Sequence, residues 1–331
     1  MNPAGLNISG AADDADDVDS TFSEDESSSA SLADEVEDYR IIKNRRYHSI
    51  NEFTGETKYW GCNDDKQNMV QEWTHEMFLC ILSGELHLAP LSDNAEKVLD
   101  IGTGIGCWAI DFADKHKNAV VIGTDISPIQ PQWVPPNLKF CIQNISHWNF
   151  SNNDIDFVHC RLLNGCIPDW YTYFQKVYGS LKPGGWFESH EISPHIRSDN
   201  DSVLGNSAMS RWGSLFVDGG KILGQPFDIV EQGVQKEAME AAGFINIREE
   251  VYKIPIGGWQ ANKDLQSIGT LMKNALETDL EGTMLFMAVM LGWSDAQRDT
   301  FAKELRHELQ SNDLHGYFYG KIVSGQKQVT P

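Results

Sequence analysis

The chain has 331 residues, 41% of them hydrophobic, and a formal net charge of −22, enough apolar material for one large core or one domain with additions. The acidity excludes a direct DNA-binding surface, which needs Lys and Arg for the phosphates. It is also uneven: residues 1–39 hold twelve acids and no Lys or Arg, leaving 36 acids against 26 bases, about −10, for the rest.

Residues 1–38 are rich in Asp, Ser, Glu and Ala and bury too little to offset the entropy of ordering, so a disordered acidic tail is expected. The functional alternative is an arm for a protein partner, phosphorylatable along Ser20–Ser31. No basic, apolar leader opens the chain, and no apolar run approaches the roughly 18 residues of a membrane span, so a cytoplasmic or nuclear protein without a membrane contact is expected. The six cysteines (Cys62, Cys80, Cys107, Cys141, Cys160, Cys166) form no C-x-x-C pair; free buried thiols rather than a metal site are expected.

Residues 39–96 read as an N-terminal helical cap. Met69, Trp73, Met77, Phe78, Ile81 and Leu82 recur at helical spacing, and the helix stops near Gly84. The chain then alternates: strand 97–101, helix 105–116, strands 119–124, 138–142 and 155–160, helix 169–181, strand 185–190, helix 228–242, strand 244–254. That order implies an α/β, Rossmann-like core over 97–258, a mostly parallel sheet with helices on both faces. Residues 259–313 form a helical lid insertion, best at 264–276 and 295–310. A last strand within 314–331 alternates over 316–323 and is expected to pair antiparallel with 244–254 at the sheet edge.

The strongest motif is Lys97-Val-Leu-Asp-Ile-Gly-Thr-Gly-Ile-Gly-Cys-Trp108. Glycines there allow a tight turn and close backbone approach, and the helix start that follows offers N–H groups suited to a nucleotide-like ligand. The spacing is G-x-G-x-G, with Cys107 where a dinucleotide fingerprint wants its third glycine. Asp100 would repel a pyrophosphate yet attract a cationic amino-acid group. Asp125, at the end of Val120–Asp125, is placed for a ribose diol. A ribose, a sulfonium and an amino-acid tail are the parts of S-adenosylmethionine. On this reading Asp100 takes the amino-acid end, Gly102, Thr103, Gly104 and Gly106 shape the backbone approach, Asp125 holds the ribose, and Ile126 lies by the adenine. A dehydrogenase lacks its third glycine, and no G-x-S-x-G marks a serine hydrolase.

These segments, with Asn44-Arg-Arg-Tyr-His48, Leu86-His-Leu-Ala-Pro90, Gly123–Pro136, Leu181–Trp186 and Leu314-His-Gly-Tyr317, resemble the class I S-adenosylmethionine-dependent methyltransferases. More narrowly, the chain is similar over roughly 39–328 to the fungal group that includes the secondary-metabolism regulator LaeA. The resemblance implies a seven-stranded sheet, S-adenosylmethionine as cofactor, and methylation of an O, N or S nucleophile of a fungal secondary metabolite, a small-molecule acceptor. Its alternative is a regulatory protein acting in a nuclear velvet-type complex, by protein methylation or cofactor binding alone. It puts Tyr47 over the cofactor, with anchoring of the cap as the other reading. It also brings Asn144, where the family usually carries an acid, and Ile145 to the adenine, and His159 to the cofactor or backbone. On the acceptor side, His190, Glu191 and His195 follow a strand and are the candidates for the base; Trp133, Trp186 and Trp212 either line the acceptor pocket or pack in the core.

Overall fold

A computed structural model describes residues 39–48, 59–92, 94–148, 150–203, 205–311 and 313–329; the acidic tail and its serines lie outside the described residues. A hairpin of β1 (Arg40–Ile42) and β2 (Arg45–Tyr47) turns at Lys43 and Asn44, both with positive φ, as a two-residue hairpin loop requires. Helix α1 (Asp65–Ile81) starts at Asp64, whose carboxylate accepts the Gln67 N–H, and buries His75, Met77 and Phe78. Its C-cap is Leu82, two residues before Gly84.

The core follows as β3 (Lys97–Ile101), α2 (Cys107–Lys115), β4 (Val120–Asp125), β5 (Leu138–Ile142), β6 (Ile155–Arg161), α3 (Trp170–Ser180), β7 (Leu181–Ile192) and a two-residue β8 (Arg197–Ser198). Then come α4 (Ala208–Leu223), α5 (Ile229–Gln232), α6 (Val234–Ala242), β9 (Ile245–Pro255), α7 (Lys263–Thr278), α8 (Leu280–Met290), α9 (Asp295–Leu309) and β10 (Gly316–Gln326). Seven long strands lie in the order β5-β4-β3-β6-β7-β10-β9, with β8 pairing the start of β10. The first five are parallel; β10 runs antiparallel to both neighbours. This is the expected Rossmann-like α/β sheet, with α2 packed on one side and α3 and α6 on the other.

Three expectations are corrected. Strand β10 does pair with 245–255, but it is not the edge: it inserts between β7 and β9. Its residues are mostly buried whereas β9 is mostly exposed, and Arg248-Glu-Glu250 suits β9 to an edge that must not recruit another strand. The helix expected over 228–242 breaks at Gly233, which has φ +71°. Helix α4 goes unseen in the sequence because Gly213, Gly219 and Gly220 weaken its helical signal. The glycines have a packing reason: a Cβ at Gly213 would stand 2.3 Å from His195 Nδ1, and one at Gly219 2.5 Å from Met287 Sδ. Helix α4 packs against α8 and α9, so the helical layer draws on a segment inside the span assigned to the sheet core.

Arg45 fastens this layer. Its Nε and Nη2 donate to Asp64 at 2.6 Å each, and Nη1 and Nη2 donate to Asp279 at 2.7 and 2.6 Å. Asp64 and Asp279 are the N-caps of α1 and α8, so one planar fork ties the hairpin to two helix starts. No helix among the described residues is long and apolar enough to cross a membrane.

Candidate functional site

The glycine bend leaves β3 and passes beneath the end of β4. Gly104 has φ +59°, and a Cβ there would lie 2.1 Å from Gln71 Oε1. The bend is pinned from within. Thr103 N–H donates to Thr124 O at 2.9 Å, Gly104 N–H to Asp125 Oδ2 at 2.8 Å, Ile105 N–H to Gln71 Oε1 at 3.0 Å, and Gly106 N–H to Thr103 O at 2.9 Å. The bend's own N–H groups from Thr103 to Gly106 are therefore engaged within the protein.

Asp100 is almost fully buried; Oδ2 accepts the Thr103 hydroxyl at 2.6 Å and Oδ1 meets His159 Nδ1 at 2.7 Å. The His159 ring stacks flat on Trp108, centroids 3.9 Å apart, and burial holds it well below the usual histidine range, hence neutral. Asp125 Oδ1 accepts Ser127 N–H at 3.0 Å. A carboxylate with two oxygens has about four lone-pair sites, so Asp125 keeps acceptor capacity for hydroxyl donors.

These groups open onto a cavity of about 570 Å³, within the range of small-molecule sites. Nine expected cofactor residues share its wall: Asp100, Gly102, Thr103, Gly104, Asp125, Ile126, Asn144, Ile145 and His159. Asn144 Oδ1 accepts Ser146 N–H at 2.9 Å, holding the loop beyond β5. An acceptor pair at the strand ends, with apolar Ile126 and Ile145 in the same wall, fits a ribose, an adenine and a cationic tail.

Other expected residues lie elsewhere. Tyr47 is fully buried with its ring 5.8 Å from Phe286 of α8, and it does not line the cavity. Gly106 caps α2 and does not line the cavity; a Cβ there would lie 2.4 Å from the Phe140 ring. None of the three base candidates lines the cavity. His190 is fully buried, with Nε2 2.6 Å from Glu188 Oε1. Glu191 is fully buried and accepts the N–H groups of Leu163 and Asn164 at 2.8 and 3.1 Å, fixing the loop after β6. His195 packs against α4 at Gly213. Trp133 is 93% exposed, and Trp186 and Trp212 are buried in two different hydrophobic clusters.

The sequence reading missed the opposite wall. Tyr59 and Trp60 enter it from the cap, with Gln67, Gln71 and Thr74 from one face of α1. Their spacing of three and four residues was the available signal, a polar stripe beside the apolar one. Trp108, Trp148, Phe150 and Arg161 complete the wall on the sheet side.

Burial pushes the Asp125 carboxyl up to about 6 against the pull of the Ser127 and Gly104 N–H groups, and burial pushes Asp100 to about 6 against the Thr103 hydroxyl. Both accept best when ionised. Affinity for S-adenosylhomocysteine should therefore be full at pH 7 to 8 and fall by about tenfold per contributing carboxylate at pH 5, one unit below that value. Calorimetric titration across pH 5–8 reads this directly; a flat profile removes both carboxylates from the contact.

A profile described as a methyltransferase domain matches residues 73–249, more than half of the chain. The methyltransferase pytC of Aspergillus terreus is 31% identical over 313 residues, covering 94% of this chain and 95% of its own length. The secondary metabolism regulator LAE1 of Cochliobolus heterostrophus is 31% identical over 264 residues, 77% of this chain and 85% of that one. Among solved structures, Haemonchus contortus phosphoethanolamine N-methyltransferase 2, in complex with S-adenosyl-L-methionine, aligns at 17% identity and a TM-score of 0.48, over 80% of this chain and 57% of that one. With the profile, the near full-length relative and the paired aspartates at the strand ends in agreement, the chain belongs to the methyltransferase domain family and is an S-adenosylmethionine-dependent methyltransferase.

Proposed function

We propose that this chain methylates an oxygen, nitrogen or sulfur nucleophile of a small, largely apolar acceptor, a fungal secondary metabolite. The observation that carries the reading is the apolar share of the cavity wall. Besides the residues assigned to the cofactor, the same cavity is lined by Trp60, Trp148, Phe150, Ile167, Pro168 and Leu223. Walls of that kind hold an aromatic or alicyclic body and exclude water.

The cofactor supplies an already activated methyl group, so the protein's task is alignment and desolvation. Asp125 fixes the ribose end, the pinned glycine bend fixes the approach, and the aromatic wall orients the acceptor. Burial raises both the Tyr59 phenol and the Cys166 thiol well above their ordinary values, so each keeps its proton at neutral pH. Neither group therefore serves as the base at neutral pH.

A regulatory role is the second reading, favoured by the similarity to LAE1. The two separate in one assay. The protein is incubated with methyl-tritiated S-adenosylmethionine and an organic extract of a fungal culture. Label in a solvent-extractable small molecule supports methylation of a metabolite. Label only in the protein fraction, or none, sinks it.

A further inference from the structure

Arg161 ends β6 and lines the cavity beside Asp100 and His159. Among the described residues no carboxylate lies within ion-pair distance of its guanidinium. Asp100, the acid nearest in the cavity wall, is already engaged by Thr103 and His159. The Arg161 side chain is nevertheless fixed. Nη2 lies 3.1 Å from His75 Nδ1, the guanidinium carbon stands 5.0 Å over the Phe78 ring, and His75 Nε2 lies 2.9 Å from Asp111 Oδ2. Since Arg161 can only donate, His75 Nδ1 is the acceptor and Nε2 carries the proton toward Asp111. Asp111 is half exposed and sits one ring away, so its charge reaches Arg161 weakened by water. Burial in turn lowers the Arg161 pKa, the mark of a cation lacking close compensation.

We propose that Arg161, positioned by His75, is a carboxylate-recognition residue of this cavity. A planar fork matches a carboxylate with two parallel N–H···O bonds, and three elements, α1, α2 and β6, hold this fork ready before any ligand arrives. Two molecules carry the group in the methyltransferase reading on which this rests: the amino-acid tail of the cofactor, and an acidic acceptor.

The test compares wild type with Arg161→Gln by calorimetry. The probes are S-adenosylhomocysteine, 5′-methylthioadenosine, which lacks the amino-acid tail, and 1-naphthoate against 1-naphthamide. If the tail is the partner, S-adenosylhomocysteine binds at least tenfold more weakly to the variant while methylthioadenosine binds equally to both proteins. If the acceptor is the partner, S-adenosylhomocysteine affinity stays and the preference of the loaded protein for naphthoate over naphthamide disappears. His75→Ala should shift the same probe by a smaller factor and leave methylthioadenosine alone. The proposal is overturned if neither preference changes, or if S-adenosylhomocysteine and methylthioadenosine weaken together, which marks a general loosening of the site. A wild type that binds no S-adenosylhomocysteine sinks the underlying reading instead; naphthoate titrated into the unloaded protein then still decides the role of Arg161.

Discussion

Asp125→Ala should weaken S-adenosylhomocysteine binding by about two orders of magnitude, equivalent to about 2.7 kcal/mol. Two losses add. The first is the carboxylate that accepts ligand hydroxyls, and hydrogen bonds to a charged group contribute about 1.5–3 kcal/mol. The second is internal: the same carboxylate accepts Gly104 N–H at 2.8 Å and Ser127 N–H at 3.0 Å. Those donors flank the glycine bend and the start of the loop after β4, so the alanine variant also frees the surface against which the ligand packs. Asp125→Asn keeps one acceptor oxygen and loses the charge; it should cost about tenfold. The order Ala worse than Asn worse than wild type, read by calorimetry at pH 7.5, is the expected result. An alanine variant with wild-type affinity would take Asp125 out of the site.

Asp100 and Asp125 were legible because their positions follow from local rules. Asp125 ends its strand and Asp100 is the last residue but one of its own, both strands are parallel, and ligand crevices form at the carboxyl ends of such strands. His190 and Glu191 lie away from the cavity lining for a non-local reason. In the sequence pattern the strand 185–190 ends at His190, which would leave His190 and Glu191 at the crevice. In the fold β7 runs on to Ile192 because β10 pairs with it from Trp186↔Gln326 to Ile192↔Gly320. Both side chains are thereby enclosed in the sheet, and that partner lies more than a hundred residues away in sequence. The aromatic lining is hidden in the same way, since Trp60 from the cap and Trp148 from the loop after β5 come to one cavity only in the folded chain. Arg45 belonged to a segment recognisable by resemblance, but its task shows only when Asp64 and Asp279 arrive together.

The enclosure of β7 makes Glu188→Leu the most damaging substitution expected for stability. Glu188 is fully buried and accepts Leu88 N–H at 3.0 Å, Ala89 N–H at 2.5 Å and His190 Nε2–H at 2.6 Å. Burial alone pushes its carboxyl up, but the His190 contact and the Leu88 N–H outweigh that and hold it below the usual glutamate value. Its contribution is thus present above the unfolded pKa and is lost as pH falls through the lower folded one. Leucine of similar volume strands three buried donors, at about 1–3 kcal/mol each, for a total of about 3–9 kcal/mol. The Leu88 and Ala89 donors belong to the strap between α1 and β3, so the same change loosens the cap that lines part of the cavity. Glu188→Gln keeps an acceptor oxygen and should cost about 1–2 kcal/mol. Urea unfolding of the three proteins at pH 7.5 measures the difference from the midpoints at constant slope. A leucine variant within about 1 kcal/mol of wild type would show that the strap is held by its apolar contacts, Leu86 and Ala89 in the cluster with Trp108 and Phe112, rather than by this carboxylate.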